Sequence, residues 1–497
     1  MRQVVLRWLP RLAVVGLGAL LSLGMPAPSW WWLGWVGVAP VIVILATSPT
    51  RREAMLRAWL GGVGFLTSLH YWLIPHMELF TIPVAAFGGV FWLPLGLAVW
   101  TFLGSRSRAG SRPVWALAVV PSVWVAVEGV RSWEYLGGSW GMWGLTQWQV
   151  GPVLQTAAVG GVWLVSYLLV ATNTALAVAL LPGPRNRRIL ALGLAAAIPA
   201  AMVAYGVGRP DPEVTGEVSV AGIQPGVIDD ATQRLGAHLD LTRRVANGRA
   251  EMVVWGQSSV GFDPSREPEV DRRLREVSAA VDAPVLVNID ARVDEGRIRK
   301  VFVHYTPDGP VASYAKQRLV PFGEYIPLRP LFGWVADFTE AARQDRARGE
   351  EVSTIGVAGV EVGPLISYES TFPAMRRRLA LLGAELTVVQ GGTWTFQGTW
   401  AQPQQAAYEA VRAVESGRPT LLAAVSGTSA AFDARGRLLT WIPADREAAY
   451  VVDIPVSTEE TLYVRFGDWV LWLAWAVTAG AAVRGVGRWW RQRPLRR

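Results

Sequence analysis

Eight apolar runs constrain this chain more than any other feature. They fall at about 8–24, 30–47, 55–75, 82–103, 113–130, 153–181, 189–206 and 469–484. Most approach the roughly 20 residues that a helix needs to cross a bilayer. The first run is interrupted by Pro10 and Arg11, and the last is short. A cleavable signal peptide is the rival reading of the first run. Met25-Pro26-Ala27-Pro28 is a poor cleavage site, and another apolar run follows at once.

Arginine placement predicts an orientation. Arg2, Arg7 and Arg11 lie at the start, Arg51 and Arg52 between runs two and three, and Arg106, Arg108 and Arg112 between four and five. Arg185, Arg187 and Arg188 lie between six and seven, and six more arginines run from Arg484 to Arg497. The alternate connectors are almost bare: 76–81 has no Lys or Arg and 131–152 has only Arg131. This positive-inside pattern puts both termini in the cytoplasm and the long 207–468 segment outside it. Tryptophans at 30–32, 140–148 and 469–475 suit interfacial belts. The net charge of +8 resolves the same way. Residues 207–468 hold 28 Lys and Arg against 35 Asp and Glu, a net −7, while the remainder holds 19 against 4, a net +15. Positive charge flanking apolar runs argues for membrane topology and against nucleic acid.

Residues 207–468 read as an α/β domain. Strand-like runs occur at 217–224, 252–255, 284–289, 301–305, 358–367, 385–390, 420–425 and 448–453. Helical patterns occur at 231–247, 266–281, 373–382 and 404–416. Strands alternating with helices imply layers. The stretch 336–351 (Asp337, Glu340, Arg343, Asp345, Arg346, Arg348, Glu350) reads as a mobile surface loop. The expected domains are 1–206 with seven spans, 207–468, and 469–497 with the last span and a basic tail.

Composition narrows the chemistry. The chain has no cysteine, which excludes disulfides, thiolate metal sites and a thiol nucleophile. Its four histidines, His70, His76, His238 and His304, have no metal-ligand spacing, so no metal and no cofactor is expected. Forty-five basic residues are Arg and two are Lys, Lys300 and Lys316. Where a surface cation is nearly always Arg, a Lys suggests work for a compact amine, set against the bland reading that two lysines must sit somewhere. Three polar segments end predicted strands, where open α/β sheets place ligands: 255–259, 314–325 and 365–370. Ser313-Tyr314-Ala315-Lys316 matches S-x-x-K, but no S-D-N, K-T-G or G-x-S-x-G accompanies it. Glu128 and Arg131 share a helical face inside an apolar run and read first as a bracing ion pair.

Several segments together resemble one family. They are Trp124 to Glu128 with Arg131, Trp140-Gly141, Gln147, Ile223-Gln224, and Tyr314 to Tyr325 with Leu-Val-Pro-Phe-Gly-Glu-Tyr. Further along come Ser367-Tyr368-Glu369 with Phe372-Pro373, Arg412 to Arg418, Thr461-Leu462-Tyr463, and Gly467-Asp468. In order and spacing the chain is similar to the apolipoprotein N-acyltransferases, a membrane branch of the nitrilase (carbon–nitrogen hydrolase) superfamily. The resemblance implies a polytopic α-helical membrane domain of about eight spans plus an extracytoplasmic nitrilase-like αββα sandwich, in a bacterial cell membrane. It implies a phospholipid acyl donor and a diacylated lipoprotein acceptor, joined through an acyl-enzyme.

The family's Glu-Lys-Cys triad falls by motif position on Gln257, Lys316 and Ser367. The resemblance implies a general base at the first, a charge stabiliser at the second and a nucleophile at the third. It also puts Glu324, Tyr368 and Glu369 in or beside the site. Gly391-Gly392 and Val425 stand where many relatives carry Asn or Asp, and the family's Lys-Trp segment near 230 has no clear match. A glutamine cannot accept a proton at neutral pH, so general-base help of ~10²–10⁴-fold is lost. A serine hydroxyl is not ionised, whereas about a few per cent of an unassisted thiol is thiolate at neutrality. Two readings follow. One is an acyltransferase-type protein that is inactivated or a slow serine version. The other is a natural pseudoenzyme that binds lipid or scaffolds a partner, such as the polyprenol-phosphate mannose synthases with which related domains are found. A transporter is disfavoured, since no paired broken helices occur.

Overall fold

The computed structural model describes residues 2–105, 112–246, 248–293, 297–334 and 345–491. Arg106, Arg108, Asp337, Glu340, Arg343 and the tail beyond Arg491 lie outside the described residues. The chain forms two compact units. One comprises Met1–Arg131, Gly141–Arg209 and Asp468–Arg497, and the other Ser132–Trp140 and Pro210–Gly467.

All eight apolar runs are helical. Single helices span Arg2–Leu21, Arg51–Leu69, Arg112–Arg131, Arg185–Gly208 and Trp469–Arg491, while Ala157–Leu180 is helical on both sides of a kink at Gly160 and Gly161. Two further runs divide into consecutive helices, Leu33–Val36 with Val38–Ala46 and Thr81–Val90 with Leu93–Leu103. Among the described residues, four segments are long and apolar enough to cross a membrane: Tyr71–Leu103, Arg112–Arg131, Ala157–Leu180 and Arg185–Gly208. Shorter apolar helices cover Trp8–Gly24, Leu33–Ala46 and Trp469–Arg484. The Arg51–Leu69 helix begins with charges, and its Glu53 is paired twice. Glu53 accepts from Arg11 at 2.6 Å and from Arg57 at 3.0 Å, which accounts for Arg11 inside an apolar run. Small residues bring the same two helices together, since a Cβ on Gly64 would strike the Val15 backbone. Asn173 stitches one broken run, accepting from the Val38 and Ala39 amides at 2.9 Å and donating to the Gly34 carbonyl at 2.8 Å. The Glu128 carboxylate accepts from the Trp143 amide at 2.5 Å and the Trp124 indole at 3.0 Å.

Among the described residues, the second unit is built on twelve strands in two sheets. The first holds β1 (Val214–Gln224), β2 (Met252–Trp255), β3 (Val285–Arg292), β4 (Ile298–Thr306) and β5 (Gly309–Ala315). The second holds β6 (Ile355–Val357), β7 (Val360–Ile366), β8 (Leu386–Gly391), β9 (Thr420–Ala424), β10 (Ser429–Phe432) and β11 (Leu438–Ile442). β12 (Ala448–Ser457) returns to the first sheet. The strand orders are β12-β1-β2-β3-β4-β5 and β11-β10-β9-β8-β7-β6. The centres, β1-β2-β3 and β7-β8-β9, are parallel.

Alternation along each strand makes the layers. Val218, Val220, Met252, Val254, Leu286 and Phe302 meet Val362, Ile366, Leu386, Val388 and Leu421 between the sheets. Their neighbours Ala221, Val253, Trp255, Val287 and Val303 face outward onto helices Ala231–Arg244 and Pro268–Val281. The second helix buries Val270, Leu274, Val277 and Val281, a helical stripe. Asp230 caps the first through the Gln233 amide at 2.8 Å. Helices Pro373–Leu381 and Ala401–Ser416 accompany the other sheet, giving an αββα sandwich.

Strands β5, β6, β10 and β11 had no separate place in the sequence reading. β6, β10 and β11 are three to five residues long, too short for alternation to show. β5 is a hairpin partner of β4, joined by Pro307-Asp308.

Candidate active site

The parallel strands end at one edge of each sheet, and the backbone register brings these edges together. Ser367 follows β7 directly, and Ile366 pairs with Gln390 in β8. Gln257 lies two residues past β2, and its amide donates to the Gly391 carbonyl, one residue beyond Gln390, at 2.9 Å. The turns carrying Gln257 and Ser367 therefore adjoin. Gly256 permits this approach, because a Cβ there would collide with the Gly391 and Val425 backbone. Ser367 and Ser258 hold φ of +51° and +56°, a region that non-glycine residues occupy at a cost of about 1–3 kcal/mol. Gln257 and Ser367 are both partly exposed.

Glu369 joins Lys316 to the same edge. Its Oε1 accepts from the Gln317 amide at 2.7 Å, the Arg318 amide at 3.0 Å and the Tyr314 hydroxyl at 2.9 Å, while its Oε2 accepts from the Ile366 amide at 2.9 Å. One buried carboxylate thus ties the residues after Lys316 to the residue before Ser367. Burial pushes the Glu369 carboxyl above its ordinary range, against the pull of these amides and of Lys316. Burial and the Glu369 charge push the Tyr314 phenol up.

Lys316 is fully buried, and its ammonium pairs with Glu324 at 2.9 Å. Glu324 also accepts from Arg346 at 3.0 Å and from the Val320 amide at 2.9 Å. Burial works to raise Glu324, but Lys316 and Arg346 outweigh it and hold the carboxyl below the usual range. Tyr368 is buried beside Ser367, and its hydroxyl donates to the Glu134 carbonyl at 3.4 Å.

Lys300, Asn288, Arg346 and Glu134 were not assigned a role from the sequence. Lys300 stands opposite Asp290 across the β3–β4 pair, bonding that carboxylate and the Ser258 hydroxyl. Burial pushes its amine down to about 8, with Asp290 opposing. Asn288 accepts from the Ser258 amide at 2.8 Å and donates to Gln390 at 3.0 Å, so it braces the Gln257 turn against the other sheet. The rarity of lysine pointed to Lys300 as much as to Lys316.

One expectation needs correction, and the S-x-x-K match, disfavoured from the sequence, fails in the structure as well. The described part of 336–351 is not a loose surface loop, because Asp345 pairs with Arg329 at 2.7 Å and Arg346 with Glu324. Ser313 and Lys316 do not form an S-x-x-K pair. They lie an odd number of residues apart on and just past a strand, so they face opposite ways, with Ser313 exposed and Lys316 buried.

Two family models match this chain: the apolipoprotein N-acyltransferase N-terminal domain over residues 17–175, and carbon-nitrogen hydrolase over residues 217–463. The chain belongs to the apolipoprotein N-acyltransferase family of the nitrilase superfamily. Among family members, the apolipoprotein N-acyltransferase of Geobacter metallireducens is 27% identical, covering 94% of this chain and 92% of its own. That of Pseudomonas paraeruginosa is 29% identical over 94% and 95%, and that of Gloeobacter violaceus 29% over 95% and 94%. A carbon-nitrogen hydrolase from Helicobacter pylori aligns with a TM-score of 0.40 at 15% identity, over 50% of this chain and 93% of its own. An amidase from Nesterenkonia sp. aligns with a TM-score of 0.37 at 17%, over 51% and 93%.

Proposed function

We propose that this chain has an acyltransferase-type site in which an acyl group passes from a phospholipid to the amine of a diacylated lipoprotein. Lys316 is the charge stabiliser, Ser367 holds the nucleophile position and Gln257 the general-base position. The observation that carries this reading is the Glu369 clamp. It sets the Lys316 loop against the Ser367 turn at the edge where the Gln257 turn also ends. A buried ammonium beside an attacked carbonyl steadies the oxyanion of a tetrahedral intermediate. Glu324 and Arg346 hold that ammonium in place.

Transfer by this chain is expected to be slow. Gln257 takes no proton from the Ser367 hydroxyl, and nucleophile and base act as a unit, so the two losses compound. The protein is proposed to be multi-pass, with both termini cytoplasmic, residues 207–468 outside, and 1–206 and 469–497 in or at the membrane. The test is to incubate purified protein with phospholipid and a diacylated lipopeptide, for the present chain and for Gln257→Glu with Ser367→Cys. The restored chain should show an acyl adduct on residue 367 by mass spectrometry. An inert double mutant with a native melting curve would sink the reading.

A second reading rests on the loss of both reactive groups within a kept frame. On this reading the chain is a pseudoenzyme that holds lipid or a membrane partner, such as a polyprenol-phosphate mannose synthase. Stable co-purification of such a synthase from native membranes would favour it.

A further inference from the structure

The connector Ser132–Trp140 groups with the sandwich, and it delivers one acidic side chain beside the site. Glu134 is 6% exposed and lies between guanidiniums from two separate segments. Arg318, two residues past Lys316, bonds its Oε2, and Arg348 bonds its Oε1 at 3.1 Å. Both arginines remain reachable, with 40% and 37% of their side chains exposed. Each lies over an aromatic ring, Arg318 on Phe372 at 5.4 Å and Arg348 on Tyr325 at 5.0 Å. Glu134 meets two positive charges with one negative, so the group keeps an excess positive charge. The neighbouring charges do not cancel it, because Glu324 is taken up by Lys316 and Arg346 and Glu369 by backbone amides.

A guanidinium fork grips carboxylate and phosphate oxygens through the same planar geometry. Two part-exposed forks closing on one carboxylate therefore have the shape of an oxyanion site already filled. We propose that Arg318 and Arg348 form a binding site for a phosphate group, which the Glu134 carboxylate occupies in the unliganded protein. This rests on the acyl-transfer reading for its source, the phosphodiester of the donor lipid, and it deepens that reading by naming the headgroup contact. Arg318 is at most ~7 Å along the backbone from Lys316. That suits a donor whose phosphodiester and acyl esters are joined by a three-carbon glycerol. Glu134 then leaves its arginines as the headgroup arrives.

The test is calorimetric binding to the full chain in detergent. The probes are dioctanoylphosphatidylglycerol, dioctanoylglycerol (which lacks the phosphate), glycerol 3-phosphate and inorganic phosphate. The unaltered chain should bind the phospholipid at least about tenfold more tightly than dioctanoylglycerol. Glu134→Gln removes the competing charge and should tighten phospholipid binding several-fold. Arg318→Gln with Arg348→Gln should weaken it about tenfold or more while leaving dioctanoylglycerol unchanged. If glycerol 3-phosphate and inorganic phosphate follow the same variant pattern and the phospholipid does not, the site stands and takes free phosphate. Equal affinity for the two lipids with no binding of either phosphate would overturn the proposal, as would arginine variants that shift both lipids alike. Should the double arginine variant fail to fold, Glu134→Gln decides alone, and unchanged or weaker binding of every phosphate probe counts against the site. The readout is binding, so its failure is distinguishable from a failed acyl-transfer assay.

Discussion

Glu369 is the residue on which the candidate site turns, since its carboxylate takes three backbone amides and one phenol in a buried place. Glu369→Ala would leave those donors without an acceptor, and a buried unpaired donor costs about 1–3 kcal/mol. We expect a loss of about 3 kcal/mol or more for the alanine variant, read from denaturant unfolding. Lys300 gives a prediction with a sign. Its amine is pushed from an ordinary 10.5 down to about 8, chiefly by burial. Between those values the unfolded chain holds a proton that the folded chain has released, so this group makes stability rise with pH. The contribution should reach up to about 1.4 kcal/mol per pH unit. Melting curves of the unaltered chain and Lys300→Met from pH 8 to 10 should diverge in that direction, and parallel curves would refute it. Both residues could be seen in the sequence, Glu369 through a motif and Lys300 through the scarcity of lysine. What each touches could not, because their partners lie in other strands and turns.

At the level of elements, the site depends on how closely the end of β2 approaches the second sheet. Gly256→Ala would press a methyl group into the Gly391 and Val425 backbone, neither of which can yield as a side chain does. The expected cost is about 1–3 kcal/mol. The Gln257–Gly391 hydrogen bond should go with it, seen as faster amide exchange at Gln257. Legibility followed element length. Helix Pro268–Val281 and strands such as β1 showed their period over enough residues to be read, whereas β10 offers only Ser429–Phe432. The stretch 345–351 is a loop, and it looked like a mobile one because its charges have no local pattern. Their partners, Glu324 and Glu134, are distant in the chain.

For the whole molecule, the absence of cysteine makes the proposed topology easy to test. Gln233→Cys lies on an exposed position of the sandwich, and Arg51→Cys at an exposed helix start. In intact cells an impermeant maleimide should label residue 233 at once and residue 51 only after permeabilisation. The reverse order would put the sandwich in the cytoplasm.

Local chemistry determined the helices, the main strands and the candidate residues of this chain, because period, apolar length and residue type are properties of neighbouring positions. Arginine spacing likewise determined the expected orientation, since the charge bias is written connector by connector. Only the tertiary structure decided that Glu369 ties Lys316 to the Ser367 turn, that Gln257 ends at the same edge, and that Glu134 closes on Arg318 and Arg348. Those contacts join residues up to about two hundred positions apart in the chain, and which of many acids meets which base is settled by sheet register and burial. The zero in the cysteine column then acquires its meaning: position 367, the proposed nucleophile position, is a serine on a strained turn.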